Sequence, residues 1–169
     1  CSSDLTAEHQ KLFVMLQLHH HPGTASTIVH LLLKELGASF ELVLVDRPNN
    51  AHKTDHYLRL NPNGLLPILV DGELVLYETA AICLHLCDTH TAARLAPAIG
   101  SVDRAHFYKW LMWMTNTLQA SLLLYFYPDR WVDAGQVDAA AQIKAHAQTK
   151  IEGLLAQADA QLAQSQGPW

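Results

Sequence analysis

One segment of the chain, residues 61–86, constrains the fold more than any other. Pro67 stands at the start of an apolar run, and because proline donates no hydrogen bond to a sheet ladder, it indicates a special backbone position there. Asp71-Gly72 separates this run from a second apolar run, which is the strongest short-range signal for a β-hairpin. Glu78-Thr79 then begins a helical pattern whose positive end leaves free N–H groups. This order of strand, turn, strand and helix predicts a ligand site.

Composition limits the classes of protein to which the chain can belong. Its 169 residues suffice for one domain of ordinary size or two small ones. Half of the residues are hydrophobic and 16% are charged, so we expect a sizeable core and some surface covered by a partner. The net charge of −5 and the lack of a basic run argue against nucleic-acid binding. No apolar stretch reaches the roughly 20 residues that span a bilayer, so we expect no membrane association.

Cysteine and histidine spacing favours neither a redox pair nor a metal centre. The three cysteines are Cys1, Cys83 and Cys87, and the last two are four apart in a helical pattern. That spacing suits neither a Cys-x-x-Cys pair nor a zinc knuckle, so we expect a reduced, cytoplasmic protein. The run at 19–21 consists of three histidines. Because successive strand residues point to opposite faces, these three are not expected to bind one ion.

The first half of the chain alternates between strand and helix patterns. The predicted elements are, in order, a strand at 13–19, a helix around 29–36 ending at Gly37, a strand at 40–45, a short polar helix within 49–59, the hairpin, and a helix at 78–88. The order β-α-β-α-β-β-α, with parallel pairing first and a hairpin last, predicts an α/β thioredoxin-like domain.

The second half is helical throughout. Residues 89–100 have no clear period and are predicted to form a linker. One long helix follows and fades near Pro128, and a second runs from about Val137 to Ala163. Two long helices joined by a short connection predict an antiparallel hairpin that must bury its apolar face elsewhere.

These patterns resemble the cytosolic glutathione S-transferase family in its bacterial form. Asn61-Pro62 with Leu66-Pro67 resembles the family segment that ends in a cis-proline, and residues 78–82 resemble its glutamate–serine/threonine motif. Residues 104–131 resemble the first helix of the helical domain in bacterial members. The resemblance implies a thioredoxin-like glutathione-binding domain at 15–88 and an all-α domain at 101–169. It also implies a homodimeric detoxification enzyme that uses glutathione as co-substrate and holds no metal.

The ends of the chain depart from this family. By the resemblance, Met15 could be a natural start, which would make residues 1–14 an extension. Family members usually continue beyond a Gly-Pro-Trp like that at 167–169 into a further central helix. We therefore expect the helical domain of this chain to be incomplete.

The resemblance assigns the main-chain and glutamyl contacts of glutathione, an anionic tripeptide. A cis peptide before Pro67 would turn the N–H and C=O of Leu66 toward the tripeptide backbone, as in strand addition. Glu78 would hold the ammonium group, while Thr79 and the helix N-terminus would hold the γ-glutamyl carboxylate. The simpler alternatives are an ordinary edge-strand proline and a threonine that only caps the helix.

The glycyl carboxylate has a separate pair of candidates. Lys53, or less favourably His52, lies in the segment from which the family often binds this carboxylate. The alternative for Lys53 is a solvated surface lysine.

Activation of the glutathione thiol is where the sequence departs most from the family. The family uses a tyrosine, serine or cysteine at the end of the first strand or the start of the first helix. Here the strand ends in histidines, and the position that resembles the bacterial cysteine is Ala25. Lowering a thiol pKa by two units takes roughly 2.7 kcal/mol. We predict Ser26 first and Thr24 second as donors to the thiolate, and either could instead be a helix cap.

The lack of a cysteine between Cys1 and Cys83 argues against thiol–disulfide exchange by the protein itself. The glutathione sulfur would then be the nucleophile, attacking a small apolar electrophile. Trp113, Asn116 and Gln119 are the candidate pocket residues, with plain helix packing or solvent exposure as their alternative. Other readings are a glutathione-dependent isomerase, dehalogenase or peroxidase, or a non-catalytic glutathione-binding protein of the same fold, which Ala25 favours.

Overall fold

The structure is a computed structural model that describes residues 15–164. These residues form two compact units, one that ends at Pro97 and one that begins at Ala98. The predicted extension at 1–14 and the Gly-Pro-Trp at 167–169 lie outside the described residues. Within those residues, no helix is both long and apolar enough to cross a membrane.

The first unit contains a four-stranded sheet in the order β2-β1-β3-β4. Its elements are β1 (Leu16–His20), α1 (Ser26–Glu35), β2 (Phe40–Leu44), a 3₁₀ turn (Ala51–Lys53), α2 (Asp55–Leu60), β3 (Ile68–Asp71), β4 (Leu74–Tyr77), α3 (Thr79–Thr89) and a second 3₁₀ turn (Thr91–Ala93). Strand β1 is parallel to β2 and antiparallel to β3, which is antiparallel to β4. The predicted thioredoxin-like order is confirmed. Strand β1 runs one residue beyond the predicted end.

The sheet has a core on each face because side chains alternate along the strands. Leu18 and Leu69 lie on one face with Val29 of α1 and Ile82 of α3, and all four are fully buried. On the other face, Ile68 packs with buried side chains from α2 and from the segment after β2. The first core fixes the start of α1 and of α3 relative to the sheet, while the second fixes α2.

The hairpin forms at the predicted place. Asp71 at the end of β3 pairs with Leu74 at the start of β4, and Gly72 between them has a φ of +62°. This left-handed backbone is one that glycine adopts without steric cost. The tight turn brings Glu78 and Thr79 back to the sheet end at which β3 begins.

The second unit is helical, as predicted. It contains α4 (Val102–Trp113), a π-helical segment (Met114–Gln119), α5 (Ala120–Phe126), a 3₁₀ turn (Pro128–Trp131) and α6 (Val137–Gln164). Helices α5 and α6 pack against each other, and the small residues Ala140 and Ala147 are buried there. The predicted single long helix is therefore interrupted in its middle by a wider π segment.

Candidate functional site

Two buried side chains hold the backbone just before Pro67. Tyr57 of α2 donates from its hydroxyl to the Leu65 C=O at 3.0 Å, and Asn61 donates from its side-chain amide to the same oxygen at 3.0 Å. Tyr57 is 4% exposed and Asn61 is 2% exposed. The Leu66-Pro67 peptide bond is cis, as the resemblance implies. Within residues 15–164, no hydrogen bond of this loop uses the N–H or C=O of Leu66, so both groups are without a partner among the described residues.

The loop is also packed tightly against the 3₁₀ turn. The side-chain oxygen of Asn61 accepts the Asn63 N–H at 3.0 Å. The backbone C=O of Asn61 accepts the Gly64 N–H at 2.9 Å. Gly64 has a φ of +59°, and a Cβ added there would lie 2.8 Å from the His52 carbonyl oxygen and 2.8 Å from Lys53 Nζ. Lys53 Nζ in turn donates to the Asn63 C=O at 3.4 Å. The two predicted carboxylate-binding residues therefore lie directly beside the loop that ends in Pro67.

Three basic side chains affect the ionisation of His52. Burial, and then the charges of Lys53, Arg47 and His21, lower the pKa of His52. Its Nδ1 atom is buried and has no hydrogen-bond partner among the described residues. A carboxylate bound beside these basic side chains would offset their effect on His52, so its surroundings fit an anionic group.

The start of α3 presents a carboxylate and a hydroxyl in an unusual backbone arrangement. Glu78 precedes the helix with φ +71° and ψ 111°, a conformation that costs a non-glycine residue free energy. Its C=O accepts the first helical hydrogen bond, from the Ile82 N–H at 3.0 Å, while its side chain is exposed. Thr79 is the first residue of the helix, and no side-chain cap is made at this end. The reading of Thr79 as the helix cap is therefore not supported.

The hydroxyls of Thr24 and Ser26 are engaged with the backbone of His21. Thr24 Oγ1 donates to the His21 C=O at 2.7 Å, and Ser26 Oγ lies 3.1 Å from the same oxygen and 2.8 Å from Thr24 Oγ1. Ser26 Oγ also accepts the His21 N–H at 3.2 Å. Ser26 is 1% exposed, whereas Thr24 is half-buried. This geometry favours a structural role for Ser26 and leaves Thr24 as the more accessible hydroxyl.

The histidines at 19–21, of which His19 and His20 end β1 and His21 follows it, have separate environments. His21 Nδ1 lies 3.0 Å from the Val45 C=O, and the ring of His20 is 6.3 Å from that of His30. Burial lowers the pKa of His19, and the nearby His56 lowers it further. Burial also lowers the pKa of His20, and His30 and then His21 add to this effect. Among residues 15–164, no group of three or more histidine, cysteine or acidic side chains is arranged to hold a metal ion.

The predicted pocket residues all lie in the second unit. Trp113 ends α4, packs edge-on against Trp110 at 5.2 Å, and lines a cavity of about 280 Å³ with residues of α6. Asn116 and Gln119 are exposed on the π segment. π-Helical turns occur frequently at functional sites.

Several residues that build the site are not evident from the sequence. Tyr57 and Arg47 have no signal of their own, because their roles depend on which parts of the chain the fold brings together. Gly64 belongs to the Asn-Pro-x-Gly segment, but its close approach to the His52 carbonyl does not follow from that segment. Asn61 belongs to the Asn-Pro motif, but its bond to Leu65 does not follow from that motif. An Asn-Pro-x-Gly segment before a strand proline is the signal that could have indicated an ordered loop.

The described fold and site define a thioredoxin-like domain with a loop that presents main-chain groups, followed by a helical unit. The family described as "Glutathione S-transferase, N-terminal domain" matches residues 14–88. A glutathione S-transferase, GST-4.5, from Xanthomonas campestris pv. campestris is 31% identical over 149 residues, which are 87% of this chain and 70% of the relative. The chain therefore belongs to the glutathione S-transferase family.

Two further relatives, one compared by sequence and one by structure, are also matched over part of their length. Glutathione S-transferase GstA of Escherichia coli O157:H7 is 31% identical over 116 residues, which are 68% of this chain and 58% of that protein. A sphingomonad glutathione S-transferase, solved in complex with glutathione, is 31% identical with a TM-score of 0.72, and the match covers 88% of this chain and 70% of that one. The matched region thus spans about six to seven tenths of these relatives' lengths.

Proposed function

We propose that this protein binds glutathione in its first unit and conjugates the glutathione thiolate to small apolar electrophiles, acting in the cytoplasm as a homodimer. The observation that carries the proposal is the loop before Pro67. There the N–H and C=O of Leu66 are unused by the described residues, while the Leu65 carbonyl beside them is fixed by two buried donors. The glutathione-bound sphingomonad relative supports the choice of ligand.

The charges around the loop complement those of the tripeptide. The cysteinyl main chain would pair with Leu66 as an added strand does. At one end, Glu78 would bind the ammonium group, and Thr79 with the N-terminus of the eleven-residue helix α3 would bind the γ-glutamyl carboxylate. At the other end, Lys53 and His52 would bind the glycyl carboxylate.

The chemical step needs a thiolate and a positioned electrophile. A hydrogen bond from the Thr24 hydroxyl would stabilise the thiolate, and this requires the hydroxyl to turn away from the His21 carbonyl. The sulfur forms a C–S bond to the electrophilic carbon, and the leaving group departs with its electron pair. Trp113, Asn116 and Gln119 are the proposed contacts of the electrophile.

Two measurements test this proposal. Calorimetry with glutathione should show saturable binding at one site per chain, and an assay with chlorodinitrobenzene should show enzymatic conjugation.

Thr24→Ala should lower kcat, by about tenfold if one charge-assisted hydrogen bond of about 1.4 kcal/mol is lost. Ser26→Ala should instead lower the melting temperature, because it removes buried hydrogen bonds to His21. No heat of binding at millimolar glutathione would contradict the proposal, and unchanged turnover in Thr24→Ala would contradict the assignment of the thiolate donor.

A second candidate function is glutathione binding without catalysis. The observation in its favour is that the Thr24 and Ser26 hydroxyls are already satisfied by His21, next to an alanine at position 25. Saturable binding together with a conjugation rate equal to the uncatalysed one would favour this candidate.

A further inference from the structure

We propose that Tyr57 and Asn61 are positioning residues for glutathione, which act by orienting the peptide group between Leu65 and Leu66. This inference rests on the proposed function and deepens it. Neither side chain is proposed to touch the tripeptide. Both bind the C=O of the peptide group whose N–H, that of Leu66, the tripeptide would use.

Two donors converge on one oxygen of this peptide group. The Tyr57 hydroxyl and the Asn61 side-chain amide both lie 3.0 Å from the Leu65 carbonyl oxygen. A carbonyl oxygen has two lone pairs, so it can accept both bonds at once. Two bonds from different directions fix the orientation of the carbonyl more firmly than one bond would.

The planarity of the peptide group extends this constraint to the ligand side. The Leu65 C=O and the Leu66 N–H belong to one planar unit. The two groups point in opposite directions across a trans bond, and the cis bond of this loop lies one residue later, at Leu66-Pro67. When buried donors hold the carbonyl oxygen on the inner side, the Leu66 N–H is directed to the outer side. The orientation of the N–H offered to a ligand is therefore set by Tyr57 and Asn61.

The two donors are themselves held firmly. The Tyr57 ring is buried beside Val45 and Ile68, and it meets the His19 ring edge-on at 6.0 Å. Asn61 donates its backbone N–H to the Tyr57 C=O at 3.0 Å. Burial raises the pKa of Tyr57 to about 12, so the hydroxyl keeps its proton at neutral pH and remains a donor.

The test separates positioning from simple stabilisation by comparing two ligands. Glutathione can accept the Leu66 N–H with its cysteinyl carbonyl oxygen, whereas an analogue in which a methylene group replaces that carbonyl cannot. Tyr57→Phe removes one hydroxyl and keeps the buried ring. We expect it to weaken glutathione binding about fivefold in calorimetry, the effect of losing one net hydrogen bond. The affinity for the methylene analogue, which makes no bond to the Leu66 N–H, should change by less than about twofold.

A matched variant controls for loss of stability in the same unit. Leu33→Met alters a fully buried side chain of α1 in the other core and should lower the melting temperature with no effect on either affinity. If Tyr57→Phe does not fold, Asn61→Ser removes the second donor to the same carbonyl and should give the same selective loss.

The outcomes distinguish this inference from the function beneath it. Equal weakening of both ligands, or no weakening of either, would overturn the positioning role while glutathione binding by the unaltered chain still stood. Absence of glutathione binding by the unaltered chain would overturn the proposed function, and the positioning role with it.

Discussion

At the scale of single residues, Glu78 joins a costly backbone conformation to an exposed carboxylate. A φ of +71° is uncommon outside glycine, and such residues cluster at ligand-binding sites, where the surrounding structure holds them in place. Here the hairpin on one side and α3 on the other fix the residue. In the proposed complex, the Glu78 carboxylate would meet the ammonium group of glutathione, and the N-terminus of α3 beside it would bind the γ-glutamyl carboxylate.

Glu78→Gln should therefore weaken glutathione binding with little effect on folding. The variant keeps the backbone and loses the charge, and hydrogen bonds to charged groups contribute about 1.5–3 kcal/mol, so the dissociation constant should rise roughly tenfold or more. Calorimetry measures the change. Glu73→Gln, on the exposed hairpin turn, is the control and should bind as the unaltered chain does. Similar affinities for both variants would argue against the assigned role of Glu78.

At the scale of elements, the loop at 61–67 and the 3₁₀ turn at 51–53 behave as one packed piece. Gly64 is where they touch, because a side chain there would meet the His52 carbonyl oxygen at 2.8 Å. The backbone atom at this contact cannot rotate away as a flexible side chain could. The 3₁₀ turn also carries His52 and Lys53, so the geometry of the loop and the proposed carboxylate site are coupled.

Gly64→Ala should lower the free energy of unfolding by more than the positive φ of residue 64 alone explains. Gly37 provides the matched control, since its φ of +62° is close to the +59° of Gly64 but a Cβ there meets nothing within 4 Å. Both alanine variants have the left-handed penalty of roughly 1–2 kcal/mol, and only Gly64→Ala adds a steric clash. Urea denaturation should show a larger loss of unfolding free energy for Gly64→Ala. Equal losses would show that the loop and the turn are not tightly packed.

The elements also show what the sequence can and cannot predict. Pro67, Asp71-Gly72 and Glu78-Thr79 are local signals, because each depends on the chemistry of one or two residues, and the strand, turn and helix that they predict are present. The π segment at Met114–Gln119 is not predicted, since an apolar helical pattern does not distinguish π from α turns. The sequence predicts that the Ser26 hydroxyl faces a ligand, but its bond back to His21 depends on how the turn after β1 closes.

At the scale of the whole molecule, burial of histidines makes stability depend on pH. The folded-state pKa values of His19, His20 and His52 all lie below 6.5, chiefly because burial disfavours the charged form. As the pH falls through 6.5, the unfolded chain takes up these protons while the folded protein does not. The contribution of these groups is therefore fully present above pH 6.5 and is lost as the pH falls toward the folded values.

The unfolding free energy should accordingly decrease between about pH 7.5 and about pH 5.5. His19→Gln should reduce the slope, because it removes one of the groups with a lowered pKa, while His146→Gln on the exposed side of α6 serves as the control. Denaturant titrations at several pH values measure the slope. Stability that is constant or rises on acidification would contradict the assignment.

The central claim is that the main chain of Leu66 receives glutathione. The most direct measurement is the ¹⁵N–¹H signal of the Leu66 amide during titration of the chain with glutathione. We expect this signal to move and saturate with the ligand, and the exchange of its proton with solvent to slow, because the N–H gains an acceptor. A Leu66 amide that neither shifts nor gains protection, while other amides report saturable binding, would contradict the claim.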